Sequence, residues 1–135
     1  MRELIGGCLC GQIRYSALAD PAIMAVCHCR NCQKQAGTAF AVVVGIPKFA
    51  LSIKGELKTY HDTGESGEAV DRNFCPNCGS PITSNAAVMP DLVIIKAGTL
   101  DDTSWLKPTM HVYCESAQAW TSIPADATKF GRGPG

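Results

Sequence analysis

Short apolar runs, cut by Gly or Pro every few positions, set the rhythm of this chain. QIRYSAL (12–18) alternates apolar and polar positions and predicts a strand. FAVVVGI (40–46) is apolar throughout and β-branched, the pattern of a strand buried on both faces. FALSIKG (49–55) puts Phe49, Leu51 and Ile53 on one face of a predicted strand. LKTYHD (57–62) predicts a strand that ends in a Gly-rich turn at 64–67. AVDRNF (69–74) and SPITSN (80–85) predict extended segments on either side of a CxxC motif. DLVIIKAGTL (91–100) is the strongest strand signal, and MHVYCE (110–115) and AQAWTSI (117–123) complete the set. RNCQKQAG (30–37) alone predicts a helix, a turn or two closed by Gly37. The expected architecture is mainly β, with several short antiparallel sheets and one or two short helices. It spans one domain over residues 1–130, and GRGPG (131–135) reads as a flexible tail.

With 135 residues the chain is long enough for a real core without disulfides. Lys plus Arg is 12 and Asp plus Glu is 12, so the net charge is zero and no basic footprint points to nucleic acid. MRELIGGCLCGQIRY lacks the apolar stretch and cleavage site of a signal peptide, and no run of residues suits a membrane span. The expected location is the cytoplasm, where thiols stay reduced.

Eight cysteines change that ordinary picture: Cys8, Cys10, Cys27, Cys29, Cys32, Cys75, Cys78 and Cys114. A disulfide framework is disfavoured by the missing export signal and by spacings too tight for ordinary bridges. FCPNCGS has the shape of a zinc knuckle, with Cys75 and Cys78 binding from a tight turn. A redox reading of this CxxC needs a βαβ context, and the flanks here are extended. One knuckle supplies two of the four ligands a structural zinc takes. Cys8 and Cys10, flanked by Gly6, Gly7 and Gly11, are the other isolated pair. A closed site of Cys8, Cys10, Cys75 and Cys78 would tie the N-terminal strand to the middle of the chain and serve folding.

Cys27, Cys29 and Cys32 remain, packed into CHCRNC with the last at the start of the predicted helix. Three ligands and a free position are the pattern of a catalytic zinc. The alternative is a second closed site completed by His28, His111 or Cys114, and spacing does not choose between them. His28, lying between two ligands, should point away if both neighbours bind a metal. Arg30 or Lys34 could meet a substrate carboxylate, although a solvated helix face suits Lys34 better.

GGCLCGQIRY, CHCRNCQKQAGTAF, FCPNCGSPI, KAGTLDD and PTMHVYCESAQAW, in that order, resemble the glutathione-dependent formaldehyde-activating family, which includes the centromere protein V relatives. The resemblance spans about residues 6–123. It implies an Mss4-like fold, a structural zinc at Cys8, Cys10, Cys75 and Cys78, and a second zinc at Cys27, Cys29 and Cys32 with its open position facing substrate. The cofactors implied are two zinc ions per chain. The implied activity is that of a carbon–sulfur lyase run in the direction of synthesis, joining a small thiol such as glutathione to formaldehyde or a related aldehyde. Three thiolates around Zn²⁺ leave a net charge of −1, a weak Lewis acid that suits a further thiol better than amide hydrolysis. His28 and His111 are candidate bases.

Nucleobase deaminases fit less well, because FCPNC has no Pro before its first Cys and the cysteine triplet lacks the general-acid Glu. A non-catalytic zinc module that binds a protein partner is the alternative from another class, and a homodimer is compatible with either. A thiol-based metal store or redox sensor is a lesser option.

Overall fold

The computed structural model describes residues 1–133. Three strands, β1 (Arg2–Gly7), β2 (Arg14–Ala19) and β5 (Leu51–Lys54), form an antiparallel sheet in the order β1-β2-β5. The second sheet has eight strands. They are β3 (Ile23–Cys27), β4 (Ala41–Pro47), β6 (Lys58–Thr63), β7 (Ala69–Phe74), β8 (Pro81–Ala86), β9 (Leu92–Lys96), β10 (Met110–Val112) and β11 (Thr128–Lys129). Their order is β11-β10-β3-β4-β9-β8-β7-β6. One α-helix, α1 (Arg30–Ala36), follows β3 and ends at Gly37 as expected.

The mainly β architecture with multiple sheets stands, its strands gathered into a three-stranded and an eight-stranded sheet. Continuous pairing from β3 through β9 to β6 merges the predicted small sheets into one. The large sheet is also mixed, since β10 runs parallel to both β3 and β11. No helix among the described residues is long and apolar enough to cross a membrane.

Strand parity gives the large sheet two different faces. Val44, Ile46, Val93 and Ile95 point to one side, where they bury against Leu4, Tyr15 and Ala17 of the small sheet. The other face carries three rows that cross the strands in register: Val112–Cys27–Ala41, Met110–Ala25–Val43–Lys96 and Ile23–Gly45–Ile94–Ser84–Arg72. The first face makes the core and the second lines the site.

KAGTLDD fastens the small sheet to the large one. The Tyr15 hydroxyl meets Thr99 Oγ1 at 2.7 Å, and Arg14 donates two hydrogen bonds to the Asp101 carboxylate. Gly6 bridges to Leu100 at the same junction, and a Cβ on Gly6 would lie 2.3 Å from the Thr99 carbonyl oxygen. Backbone cannot yield there as a flexible side chain would. Gly6→Ala is therefore expected to cost about 3 kcal/mol of stability, read by urea unfolding, against almost nothing for Gly98→Ala, where the added Cβ meets open space.

Three expectations need correction. Phe49 does not share a face with Leu51 and Ile53, because Pro47 ends β4 and residues 48–50 turn as a short 3₁₀ helix that leaves Phe49 exposed. AQAWTSI (117–123) is not a strand: β11 already occupies the outer edge of β10, so that segment has no strand to pair with. MHVYCE is extended only to Val112, after which Tyr113 adopts a left-handed conformation and residues 114–116 form a 3₁₀ turn. At the start of GRGPG, Tyr113 N donates to Arg132 O and Glu115 N to Gly131 O. Residues 134–135 of that tail lie outside the described residues.

Candidate metal centres and the cavity beside them

All eight cysteines are free, and seven gather into two clusters. The sulfurs within each cluster lie within 4.8 Å of one another. Cys8 and Cys10 come from the β1–β2 connection and Cys75 and Cys78 from the β7–β8 turn. Cys8 Sγ is 3.5 Å from Cys10 Sγ, and Cys10 Sγ is 3.8 Å from Cys75 Sγ across 65 positions of sequence. Leu9 N donates to Ser80 Oγ at 3.0 Å and so joins the two loops directly.

Backbone amides point at these sulfurs. Ile13 N lies 3.2 Å from Cys8 Sγ, and Cys78 N lies 3.5 Å from Cys75 Sγ. Gly79, at φ +80°, is the residue that lets the knuckle turn so tightly. The Ser80 hydroxyl and then its backbone N–H pull the Cys78 thiol down to about 5. A cradle of N–H and O–H donors around four thiols fits a thiolate-bound metal, and four sulfurs complete the tetrahedral shell that zinc takes.

The second cluster holds Cys27, Cys29 and Cys32 and no further His, Cys, Asp or Glu among the described residues. Cys27 ends β3, Cys29 caps α1 and Cys32 lies in the first turn of α1. Cys29 Sγ accepts from Cys32 N at 3.3 Å. The three candidates for a fourth ligand lie elsewhere. His28 points away and is 1% exposed, its Nε2 2.9 Å from His111 Nδ1 and its ring packed near Phe40. Burial lowers the basicity of both histidines. Cys114 Sγ instead faces the His111 carbonyl at 3.6 Å.

The three sulfurs open into a cavity of about 390 Å³ on the second face of the large sheet. Two cations not among the expected site residues line it, Arg72 and Lys96. Arg72 is 4% exposed, with Nη1 3.8 Å from Cys32 Sγ and 3.3 Å from Gln35 Oε1, while its Nε donates to Asp62 at 2.8 Å. Lys96 is 8% exposed, and its ammonium has no hydrogen-bond or ion-pair partner among the described residues. Burial pulls the Lys96 ammonium down, and the neighbouring Cys32 opposes that. Hydrogen bonds from Cys27 and Cys29 draw Cys32 strongly toward thiolate, helped by Lys96 and Arg72, while the donating role pushes Cys27 up. A sulfur-rich anionic centre facing two buried cations fits a bound divalent metal. Arg30, a candidate substrate contact, and Lys34, which suited a solvated helix face better, do not line the cavity.

The signal for Arg72 and Lys96 was parity. Lys96 shares a face with Leu92 and Ile94, and Arg72 with Val70 and Phe74, so each sits in an otherwise apolar row. Glu65 carried no such signal. From the turn at 64–67 its carboxylate accepts from Arg30 N at 2.8 Å and from the Ser116 hydroxyl, pinning the β6–β7 turn against the start of α1.

Asp62 holds Arg72 in place and also accepts from Asn31 Nδ2 at 2.8 Å. Partial burial raises the Asp62 carboxyl, but Asn31 and Arg72 together bring it below the ordinary carboxylate range. Its folded value is the depressed one. Its contribution is therefore complete above the unfolded value of about 3.9 and is lost as pH falls through the folded one. Asp62→Asn leaves a buried guanidinium without its counter-ion and is expected to cost about 3 kcal/mol at neutral pH. The difference from the parent should shrink in unfolding titrations carried toward acid.

A family model described as glutathione-dependent formaldehyde-activating enzyme matches residues 3–116, a span that contains both cysteine clusters, Arg72 and Lys96. A curated protein of Phaeosphaeria nodorum, provisionally named a glutathione-dependent formaldehyde-activating enzyme, is 25% identical over 112 residues. That alignment covers 81% of this chain, and the chain spans 58% of that relative's length. A crystal structure of a Rhodobacter sphaeroides protein shares the fold with a TM-score of 0.59 at 19% identity, covering 72% of this chain and 87% of the other.

Proposed function

Because the chain belongs to the glutathione-dependent formaldehyde-activating enzyme family, we propose that it is a zinc-dependent enzyme of the carbon–sulfur lyase type, joining a thiol such as glutathione to formaldehyde or a related small aldehyde. The observation that carries this reading is the difference between the two clusters. Four sulfurs close on themselves, and three open into a cavity beside Lys96 and Arg72. Cys8, Cys10, Cys75 and Cys78 would hold a structural zinc, and Cys27, Cys29 and Cys32 the catalytic one. Zinc bound there supplies a soft position at which a substrate thiol is held deprotonated.

This chain's own groups do the rest. Arg72 and Lys96 balance the negative charge that a substrate thiolate brings to three protein thiolates. The apolar wall keeps water off the attacking sulfur. A carbon–sulfur bond forms as the carbonyl π pair moves to oxygen, which takes up a proton. R–SH and H₂C=O thus give R–S–CH₂–OH with no oxidant or reductant. Lys96 donates a hydrogen bond to that oxygen as its charge grows. His28 and His111, paired with each other behind the cluster, take no part. Reduced thiols in both clusters suit a cytoplasmic setting.

Metal analysis combined with NMR of formaldehyde mixed with several thiols tests the proposal. Two zincs per chain and faster adduct formation with at least one thiol are expected. Two zincs with no acceleration by any thiol would leave a non-catalytic zinc module.

A further inference from the structure

The cavity beside the three cysteines is chemically one-sided. Its lining holds three charged side chains, Glu65, Arg72 and Lys96, and all of them sit at the cysteine end. Arg72 faces Cys32, Lys96 lies in the row next to Cys27, and the Glu65 carboxylate is already occupied by Arg30 N and Ser116. Away from that end the wall is Ile23, Val43, Ile94, Met110, Val88 and Met89. Ile23 is four residues along β3 from Cys27, about 13 Å at strand rise. Gly45, between Ile23 and Ile94 in register, lets those two side chains close over the strand. The hydroxyls of Ser66 and Tyr113 lie with Glu65 and the cysteines, and away from them the Ser84 hydroxyl, buried and without a partner, interrupts the apolar wall.

Glutathione carries two carboxylates, an ammonium and two amides. Seated with its sulfur among the cysteines, it would lay several of these against a wall that offers one hydroxyl. Buried polar groups without partners weigh heavily against such a ligand. We infer that the thiol this site takes carries an apolar alkyl or aryl tail, lying along β3, β4 and β9 with its sulfur among Cys27, Cys29 and Cys32. This rests on the thiol–aldehyde reading of the site and narrows its substrate class. Lys96 and Arg72 answer the sulfur's charge, the apolar wall answers the tail, and Ser84 accommodates a single polar substituent.

The test uses the full chain with cobalt(II) in place of zinc, so that thiol binding is read from the cobalt–thiolate absorption and not from turnover. Phenylmethanethiol, 2-mercaptoethanol and glutathione are titrated in turn. Burying a phenyl ring is worth a factor of roughly ten to a hundred, so phenylmethanethiol should bind tighter than either of the others by about that much. Met89→Glu brings a carboxylate to the apolar end and should weaken phenylmethanethiol about tenfold while leaving 2-mercaptoethanol unchanged. Val88→Glu, at a position already 54% exposed, repeats the test without a folding risk. Glutathione binding tightest, or both variants weakening all three thiols equally, overturns the inference and leaves the thiol reading standing. Failure of every thiol to perturb the cobalt spectrum overturns the thiol reading and the inference with it.

Discussion

Cys75→Ser should fail to fold at all. Cys75 is fully buried in the core shared by the two sheets, and its sulfur meets Cys10 across 65 positions of sequence. A structural zinc contributes on the order of 10–16 kcal/mol in apparent binding energy. The whole stability of a domain this size is about 5–15 kcal/mol. A metal held by these four sulfurs would thus be worth as much as the net stability, and without it the Leu9 N–Ser80 Oγ hydrogen bond is left to tie the N-terminal loop to the β7–β8 turn. The check is circular dichroism with metal analysis. Serine at this position with a native spectrum and an unchanged melting temperature would falsify the structural assignment of the four-cysteine cluster.

The opposite result is expected at Cys29. It caps a seven-residue helix at the edge of the cavity, and the main core lies on the other side of the sheet. Cys29→Ser keeps a side-chain oxygen that can still accept from Cys32 N, so the cap survives and the protein folds. One zinc per chain should be lost. Partners of metal ligands already cost ten- to a hundredfold in affinity or activity when removed, so loss of a ligand itself should lower adduct formation by at least about a hundredfold. The pairing is diagnostic: one cysteine removes the fold and the other removes the chemistry. If Cys29→Ser unfolds as completely as Cys75→Ser, the two clusters do not divide the work in this way.

Local signals made most of the fold legible. The helix at 30–37 was marked by Gly37, and the strands at 41–47, 69–74, 81–86 and 92–96 by β-branched or alternating runs. β3 was not recognised because IMAVC has no alternation and runs straight into the cysteine cluster. The clustering of three sulfurs could be read from spacing, since CHCRNC places them within six residues. Its cations could not. Arg72 and Lys96 approach Cys32 only because β3, β4, β9, β8 and β7 pair in one register, and that alignment is written nowhere locally. The same holds for His28 and His111, which are 83 positions apart and meet through the parallel pairing of β3 with β10.

The interleaving of core and cavity along single strands bears on how such a protein can diverge. Val43 and Val44, or Ile94 and Ile95, are chain neighbours with no shared surroundings. Changes in size at 23, 43, 94 and 110 can reshape what the cavity admits while 44, 46, 93 and 95 keep the sheets together, because substitutions without common partners act nearly independently. A lineage can thus drift in substrate without renegotiating its fold. The residues that diverge and those that persist should then alternate, one by one, along the same strand.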